Sequence, residues 1–415
     1  MVRAVITGLG CVTPIGQSVE DFWNSLTAGR SGVRRITLFD PSDQDCQIAA
    51  EVKNWDPTKY MDPKSAKRAA RFSQFAVAAA RQAVDDSALK IDDSNRDDIA
   101  IVMNTGGGGV DIIAEGEKTY LEKGASRVGI FTVPAYAPNM ASCQVAINLG
   151  IRGATETSVA ACAAGVFAFV QAKRMLDLGE TECVIVGGAE ANIIPISVAA
   201  MANMKALSTR NDEPEKACRP FDRDRDGFVY GEGAAAFVVE TVEHAERRGA
   251  RIYAELAGGA ITSDAYHITA PDPSGERASM AIKKALERSG LQAEDVDLVV
   301  AHGTGTPLND AAETVAIKRA LGEHAYKIAV TGPKSMVGHQ LGAAGAVSAL
   351  AAVLAIDRGV IPPTINLENA DPDCDLDYVP LVARKAESRV ALVNGFGFGG
   401  QNGVAAFKRF SANGS

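Results

Sequence analysis

The chain has 415 residues, of which 47% are hydrophobic and 22% are charged. This balance is typical of a folded globular protein and excludes a disordered chain. The length allows two or three domains, or one large composite domain. Because 42 Lys and Arg stand against 51 Asp and Glu, the net charge is -9. Such a charge repels the phosphate backbone and disfavours general nucleic-acid binding.

The sequence carries no signal for secretion or membrane insertion. The N-terminal MVRAVITGLGCVTP passes from a strand-like stretch directly into a turn, and no run of eighteen residues is entirely apolar. The seven cysteines are scattered and odd in number, which does not suit a disulfide scaffold. We therefore expect a cytoplasmic protein that does not bind membranes.

Strand-like runs rich in Val and Ile alternate with longer, Ala-rich helical patterns. The runs VRAVITGLG, DIAIVMNTGGGG, ECVIVGGAE and VDLVVAHGTGT each lead into glycines. This alternation predicts an α/β fold whose sheets are covered on both faces. After the first run, Asp62 and Pro63 provide the cap and first-turn signals of one long helix that continues to Leu89.

An internal echo divides the chain into two halves. Ala-Ala-Gly at 163–165 begins a helical pattern that ends in an Asp and a Gly, and Ala-Ala-Gly at 343–345 begins another with identical spacing. Chance is the alternative, because this tripeptide is common. We predict two similar halves, residues 1–249 and residues 250–415.

Cys162 lies where a β-branched stretch gives way to small residues and then to a helical pattern. A thiol on such a strand-to-helix turn lies at the positive end of the helix dipole, which favours the thiolate. The neighbouring alanines would permit close approach to the sulfur. The alternative is a small buried hydrophobic residue, the common role of a free cysteine.

Two of the five histidines follow apolar runs in glycine-rich breaks. His302 stands in VVAHGTGTPLND and His339 in TGPKSMVGHQLGAAG. Ends of strands are where α/β proteins place their sites, so a Cys/His/His site with Cys162 is the hypothesis. The stretch 394–403 adds a glycine-punctuated loop with Phe396 and Phe398, which is either a mobile loop or a tight turn between strands.

Metal binding is the weaker interpretation of these residues. The separations between Cys162, His302 and His339 match no usual zinc-ligand spacing. FDRDRDGFVYGEG imitates a calcium loop from Asp222, but Gly233 stands where the bidentate Glu is required. We expect a structural role for that segment and no metal.

Four motifs, in the order VAACAAG around Cys162, HGTGTP from His302, KSMVGH from Lys334 and GFGFGG from Gly395, resemble the β-ketoacyl-(acyl carrier protein) synthases. ITGLGCVTPIG, RPFDRDRDGFVYGEGA and IPPTINLE extend the resemblance over essentially the whole chain. The family has a thiolase-like, five-layered αβαβα fold of two duplicated halves and usually dimerises. A histidine at 339 resembles the elongating members, since initiating members have asparagine there.

The resemblance implies a decarboxylative condensation. Cys162 would take an acyl group from a carrier-protein thioester, with the backbone N–H groups of Cys162 and Phe398 as oxyanion hole. His302 and His339 would stabilise the enolate formed from malonyl-carrier protein, and Lys334 would support them electrostatically.

Further positions are assigned by the same resemblance. Thr304 and Thr306 match positions that bind the phosphopantetheine arm, and Phe396 belongs with Phe398 to the loop that would gate the site. No free cofactor is implied, because the acyl carrier protein bears the phosphopantetheine. Docking of this acidic partner would need a basic patch, for which the residues are Lys64, Lys67, Arg68 and Lys205. An ordinary solvated face is the alternative for these residues.

Gly107 matches a position where elongating relatives often carry a branched side chain at the far end of the acyl pocket. The absence of that branched side chain would open the pocket to long acyl chains. The alternative is that the four successive glycines serve only the backbone conformation. Fatty-acid elongation and type II polyketide assembly both fit the motifs. A non-condensing chain-length or scaffold partner is the third alternative, and the intact Cys162, His302 and His339 argue against it.

Overall fold

The computed structural model describes residues 2–412. The β-strands in this part of the chain are β1 Ala4–Val12, β2 Val33–Arg35, β3 Ile48–Ala50, β4 Ile99–Asn104, β5 Thr155–Glu156, β6 Cys183–Glu190, β7 Tyr230–Gly231, β8 Gly233–Thr241, β9 Ala254–Ser263, β10 Leu298–Val300, β11 Ala329–Thr331, β12 Val360–Ile361, β13 Arg384–Lys385, β14 Val390–Gly397 and β15 Gln401–Lys408.

The α-helices between these strands are α1 Val19–Thr27, α2 Pro63–Arg68, α3 Arg71–Ser87, α4 Val110–Lys123, α5 Thr132–Tyr136, α6 Met140–Leu149, α7 Ala164–Asp177, α8 Pro195–Asn203, α9 Val242–Arg247, α10 Glu276–Ser289, α11 Pro307–Leu321, α12 Lys334–Val337 and α13 Ala344–Arg358. Short 3-10 turns at Ala161–Ala163 and Leu341–Ala343 lead into α7 and α13.

Ten strands form one mixed sheet in the order β11-β10-β14-β15-β9-β1-β8-β6-β4-β5. Read from either edge of the sheet towards its centre, the five strands of each half follow the same order. Numbered by their position along the chain within that half, they are the third, second, fourth, fifth and first strands. The directions repeat as well: the third, second and fourth strands are parallel, and the fifth and first are antiparallel to their neighbours. The two halves join through the antiparallel pairing of β1 with β9.

Helices cover both faces of each half of the sheet. α3 packs on β1, β6 and β8, while α10 packs on β9 and β15 with α11 beside it. α7 and α13 lie between the two halves and contact strands of both. The layers therefore follow the order αβαβα, as the resemblance implies.

The two Ala-Ala-Gly segments, 163–165 and 343–345, contact each other where α7 and α13 cross. A Cβ on Gly165 would lie 2.6 Å from the backbone nitrogen of Ala346, and one on Gly345 would lie 2.5 Å from that of Val166. Only glycine permits this approach, because atoms at such distances overlap. The repeated glycine thus serves the contact between the two central helices.

The 18-residue stretch Leu341–Arg358 has the length and apolar composition of a membrane span. Most of it is buried inside the protein, since α13 lies between the two halves of the sheet. Its apolar character is accounted for by this core position.

The single helix predicted from Asp62 is wrong. The structure has two helices, α2 and α3, separated by Ala69 and Ala70 in extended conformation. The Gln74 side chain accounts for the break, because its Nε2 donates to the carbonyls of Ala66 and Ala69. Contacts from distant residues are also involved: Arg71, at the start of α3, pairs with the buried Glu232.

Candidate active site

Cys162 lies in a strained turn at the start of α7. The turn Ala161–Ala163 precedes the helix, and Ala161 adopts the left-handed conformation with φ 45°. A non-glycine residue is strained in this conformation, and such backbone strain is typical of turns that carry a nucleophile. Cys162 is 7% exposed, so the turn presents the sulfur to an enclosed space rather than to solvent.

The thiol is in its neutral form at rest. Burial raises the pKa of Cys162 to about 12, and the negative charge of Glu190 adds to this effect. The charge of Lys334 and the backbone N–H groups of Cys162 and Phe398 act in the opposite direction without outweighing burial. The expectation of a thiolate from the helix dipole is therefore not met, because the sequence does not reveal how completely the sulfur is removed from water.

The two predicted histidines face each other. His302 follows β10 and His339 follows α12, and their ring centroids are 5.3 Å apart with the planes at 87°. The ring centroid of Phe396 lies 5.6 Å from that of His302, and the ring centroid of Phe228 lies 5.2 Å from that of His339. Burial lowers the pKa of both imidazoles well below 6.5, and the charge of Lys334 adds to this effect. Both rings are neutral at physiological pH.

A buried carboxylate that sequence reasoning missed holds the His302 loop. Glu313 on α11 accepts the backbone N–H of His302 at 2.7 Å and that of Gly303 at 2.7 Å. It also accepts from Asn394 Nδ2 on β14 at 2.9 Å. A glutamate in a helical pattern is normally taken for a solvated residue, so only its position opposite His302 in space identifies it.

Lys334 is buried at the first position of α12. Burial lowers the pKa of its ammonium group to about 8, while the negative charge of Glu313 opposes this shift. Cys218 Sγ donates to the Lys334 backbone carbonyl at 2.9 Å. The ammonium group is positioned to act on Cys162, His302 and His339 through its field.

The HGTGTP segment is fixed by the acidic and basic residues around it. Asp310 Oδ1 accepts the backbone N–H groups of Thr304 and Gly305 at 3.1 and 3.3 Å. The Thr304 and Thr306 hydroxyls lie 3.0 Å apart. Arg225, from the segment that imitates a calcium loop, donates to the Thr306 carbonyl at 3.2 Å and lies 3.7 Å from Asp310.

Asp222, the first residue of the segment that resembles a calcium-binding loop, has a structural role. Its carboxylate accepts backbone N–H groups from Asp224, Glu368 and Asn369, and Arg219 lies 3.1 Å away. Over residues 2–412, no three His, Cys, Asp or Glu side chains are grouped so that they could hold a metal ion.

The glycine-rich loop is a tight turn between β14 and β15. Gly397 pairs with Gln401, and the turn packs on a second loop in which Ile268 accepts the Gly399 N–H at 2.8 Å. Asn402 Nδ2 donates to Asp264 at 2.6 Å in the same region. The turn presents the Phe398 backbone to Cys162, as the interpretation of this stretch as a tight turn between strands requires.

A cavity of about 520 Å³ brings most of the predicted site together. The predicted residues that line it are Gly107, Cys162, Lys205, His302, Thr304, Thr306, His339, Phe396 and Phe398. Lys334 is buried and is not part of the cavity lining. Lys64, Lys67 and Arg68 are exposed on α2 outside it, and the Arg68 guanidinium lies 4.2 Å from the Phe131 ring centroid. Asn192, which the sequence did not single out, also lines the cavity.

Comparisons with known proteins agree with this geometry. Residues 1–245 match the family model "Beta-ketoacyl synthase, N-terminal domain", and residues 253–368 match "Beta-ketoacyl synthase, C-terminal domain". The chain therefore belongs to the β-ketoacyl synthase family, which confirms the resemblance and the fold class.

Similar curated proteins cover nearly the whole chain. A 3-oxoacyl-[acyl-carrier-protein] synthase 2 from Synechocystis sp. is 51% identical over 98% of both chains, and one from Coxiella burnetii is 46% identical over 98% of both. These relatives carry the name of a condensing acyltransferase of fatty-acid synthesis.

Similar solved structures include ketosynthases, one of them from a type II polyketide system. The ishigamide ketosynthase/chain length factor has a TM-score of 0.93 at 36% identity, covering 99% of this chain and 100% of that one. A chain of the solved complex titled as a type II polyketide acyl-carrier protein with its ketosynthase has a TM-score of 0.90 at 31% identity. The match covers 99% of this chain and 100% of that one.

The neutral thiol predicts a specific pH dependence of alkylation. Because the pKa of Cys162 is about 12, the rate of its alkylation by iodoacetamide should rise about tenfold per pH unit between about pH 6 and 8. Above about pH 8 the rise should be smaller, since Lys334 loses its proton and no longer stabilises the thiolate. Mass spectrometry of the Cys162 peptide would separate it from the half-buried Cys143.

The Lys334→Met variant is the control for this measurement. It should alkylate several-fold more slowly than the wild type at neutral pH and show no change of slope near pH 8, because the titrating charge is gone. A wild-type rate that is already constant above about pH 7 would mean that the thiolate is the resting form.

Proposed function

We propose that this chain catalyses the decarboxylative condensation of an acyl group, held on Cys162, with malonyl-acyl carrier protein. The product is a 3-oxoacyl-acyl carrier protein longer by two carbons, as in type II fatty-acid elongation. The observation that carries the proposal is the single cavity lined by the strained Cys162 and two neutral imidazoles, His302 and His339.

Acyl transfer comes first in the proposed reaction. The Cys162 sulfur attacks the carbonyl of the acyl-carrier thioester, and the proton of the thiol leaves with the departing phosphopantetheine thiol. The oxyanion formed during attack accepts from the backbone N–H groups of Cys162 and Phe398. Losing one such donor typically lowers the rate by about a hundredfold or more.

Decarboxylation and carbon–carbon bond formation follow. Malonyl-carrier protein loses carbon dioxide, and the electrons of the broken bond form an enolate whose oxygen accepts hydrogen bonds from His302 and His339. Neutral imidazoles suit this role, because they donate a hydrogen bond without releasing a proton to the carbanion. The carbanion attacks the acyl carbonyl on Cys162, the carbon–sulfur bond breaks, and the leaving thiolate takes up a proton from water, which restores the thiol. Lys334 stabilises negative charge in both steps through its field.

Glu313 acts through position rather than contact with substrate. Its two oxygens fix the backbone at His302 and Gly303, and its bond from Asn394 ties this loop to the strand that leads to Phe396 and Phe398. One carboxylate thereby sets the distance between the enolate-binding histidine and the oxyanion-binding loop.

The partner in this proposal is acyl carrier protein, and no free cofactor is required. The acidic carrier would dock on the exposed Lys64, Lys67 and Arg68 of α2 and on Lys205 at the cavity, with its phosphopantetheine passing Thr304 and Thr306. The structural neighbour solved with its acyl-carrier protein supports a partner of this kind. We place the enzyme in the cytoplasm, where carrier-bound substrates are made.

A homodimer is also proposed. α4 contains no buried residue, and large apolar side chains on α4, in the segment after it and on α6 are exposed, at 73% for Leu121, 87% for Ile130 and 70% for Ile147. β5 forms one end of the ten-stranded sheet and leaves an unpaired edge on the same part of the chain. Apolar surface next to a free strand edge is typical of a subunit interface. A second copy of this chain fits it by two-fold symmetry.

Type II polyketide assembly is the second candidate. The structural neighbour named as a type II polyketide ketosynthase with its acyl-carrier protein supports it, at 31% identity. The relatives at 46 and 51% identity support fatty-acid elongation more strongly. A chain-length partner without condensing activity would not need the strained, cavity-facing Cys162.

The Cys162→Gln variant separates the two halves of the reaction. It should release carbon dioxide from malonyl-carrier protein but form no 3-oxoacyl product, because His302 and His339 remain while the acyl acceptor is gone. The readouts are carbon dioxide release and product mass. Cys143→Ser, a half-buried cysteine outside the cavity, should condense at the wild-type rate. Condensation by Cys162→Gln would contradict the proposal.

Charge reversal on α2 tests the docking surface. The double variant Lys64→Glu, Lys67→Glu should raise KM about tenfold or more for carrier-bound primer, because like charges repel the acidic partner, and leave small thioester primers unaffected. The charge-matched control reverses the exposed Lys90 and Lys283 and should raise neither KM. An equal loss on both kinds of primer would exclude α2 as the docking site.

A further inference from the structure

His339 is held by the backbone of a segment that is distant in the chain. The His339 N–H donates to the Val229 carbonyl at 2.7 Å, and the His339 carbonyl accepts the Gly231 N–H at 2.9 Å. The imidazole packs edge-on against the Phe228 ring, with 5.2 Å between the ring centroids. The position of the imidazole in the cavity therefore depends on where the segment 228–233 lies.

Glycines on both sides of Glu232 let the two segments approach this closely. A Cβ on Gly231 would lie 2.5 Å from the last carbonyl oxygen of α12, and one on Gly233 would lie 2.9 Å from Gln340 Nε2. Gln340, which follows His339, donates from Nε2 to the Glu232 backbone carbonyl at 3.0 Å. The Gly-Glu-Gly sequence ends the segment that resembles a calcium-binding loop, and its place in the fold is against the His339 backbone.

The Glu232 carboxylate is fully buried and is held by Arg71. Arg71 Nε donates to Oε2 at 2.8 Å and Arg71 Nη2 donates to Oε1 at 2.6 Å, so the pair is bidentate. Oε1 also accepts the Val52 N–H at 2.9 Å, and Arg71 Nη2 donates to the Val52 carbonyl at 3.0 Å. A bidentate pair fixes orientation as well as distance. Arg71 and Glu232 therefore fix the segment against which His339 is placed.

We propose that Arg71 and Glu232 are positioning residues for His339. Neither residue lines the cavity, so the pair acts on the enolate only through the placement of the imidazole. Glu313 fixes the backbone at His302, and each of the two histidines thus has one buried carboxylate that sets its position. The inference rests on the proposed condensing function, since it concerns the step in which His339 binds the enolate.

The two half-reactions separate positioning of His339 from general stability. Decarboxylation of malonyl-carrier protein, measured in the Cys162→Gln background, depends on His339. Acylation of Cys162 by a decanoyl N-acetylcysteamine thioester, measured by mass spectrometry with Cys162 intact, does not. Glu232→Gln should lower kcat of decarboxylation about tenfold to a hundredfold with little change in KM, because a displaced group loses its alignment with the reacting atoms. The acylation rate should remain that of the wild type.

Arg71→Lys carries the test if Glu232→Gln does not fold. Lysine keeps the positive charge beside Glu232 but cannot form the bidentate pair. Decarboxylation should therefore fall less than in Glu232→Gln, while acylation of Cys162 again stays at the wild-type rate.

The matched control is Glu240→Gln on β8. Glu240 is as fully buried as Glu232 and forms a bidentate pair with Arg248, whose side chain is 20% exposed against 23% for Arg71. Both Glu→Gln changes should lower the temperature of unfolding, because each breaks a buried ion pair. Glu240 does not line the cavity, and Glu240→Gln should carry out both half-reactions at the parental rates.

The outcomes distinguish this inference from the proposed function. Equal losses of decarboxylation and acylation in Glu232→Gln, or no loss of either, would overturn the positioning role. A selective loss of decarboxylation in Glu240→Gln would overturn it as well, since any broken ion pair would then have the same effect. If the parent Cys162→Gln releases no carbon dioxide, the condensing function fails and the inference falls with it.

Discussion

Burial of the thiol, the two imidazoles and the ammonium group at the site is the constraint on which the rest of the structure depends. Cys162, His302, His339 and Lys334 lie out of contact with bulk water between the two halves of one sheet. Burial disfavours the charged form of each group, so the thiol and both imidazoles are neutral and the pKa of the lysine falls to about 8. The electrostatic effect of any charge that develops there is correspondingly large.

The duplicated fold places these groups against one another. Each half contributes a 3-10 turn and a central helix, and the glycines of the repeated Ala-Ala-Gly let α7 and α13 touch. Cys162 comes from the N-terminal half, while His302 and His339 come from the C-terminal half. Glu190 and Glu313 are the buried acceptors on the two sides, and each binds backbone N–H groups that shape the cavity.

Features that depend on a few adjacent residues could be predicted from the sequence. The turn at Cys162 and the strand end at His302 are of this kind, and the resemblance added Lys334 and the two threonines. His339 was expected at a strand end but follows the short helix α12. Glu313, Glu190 and Glu232 could not be predicted, because their roles depend on partners far away in the chain. The same limit explains the break between α2 and α3, where Arg71 meets Glu232, and the raised thiol pKa, which depends on burial that a local pattern does not record.

The protonation state of the two site histidines is the most direct test of a buried, neutral site. With five histidines in the chain, nitrogen-15 labelling of histidine and single substitutions would assign the imidazole signals by NMR. We expect His302 and His339 to stay neutral down to about pH 6, since burial holds their pKa values well below 6.5. Titration of either imidazole with a pKa near its ordinary value of about 6.5 would contradict this expectation.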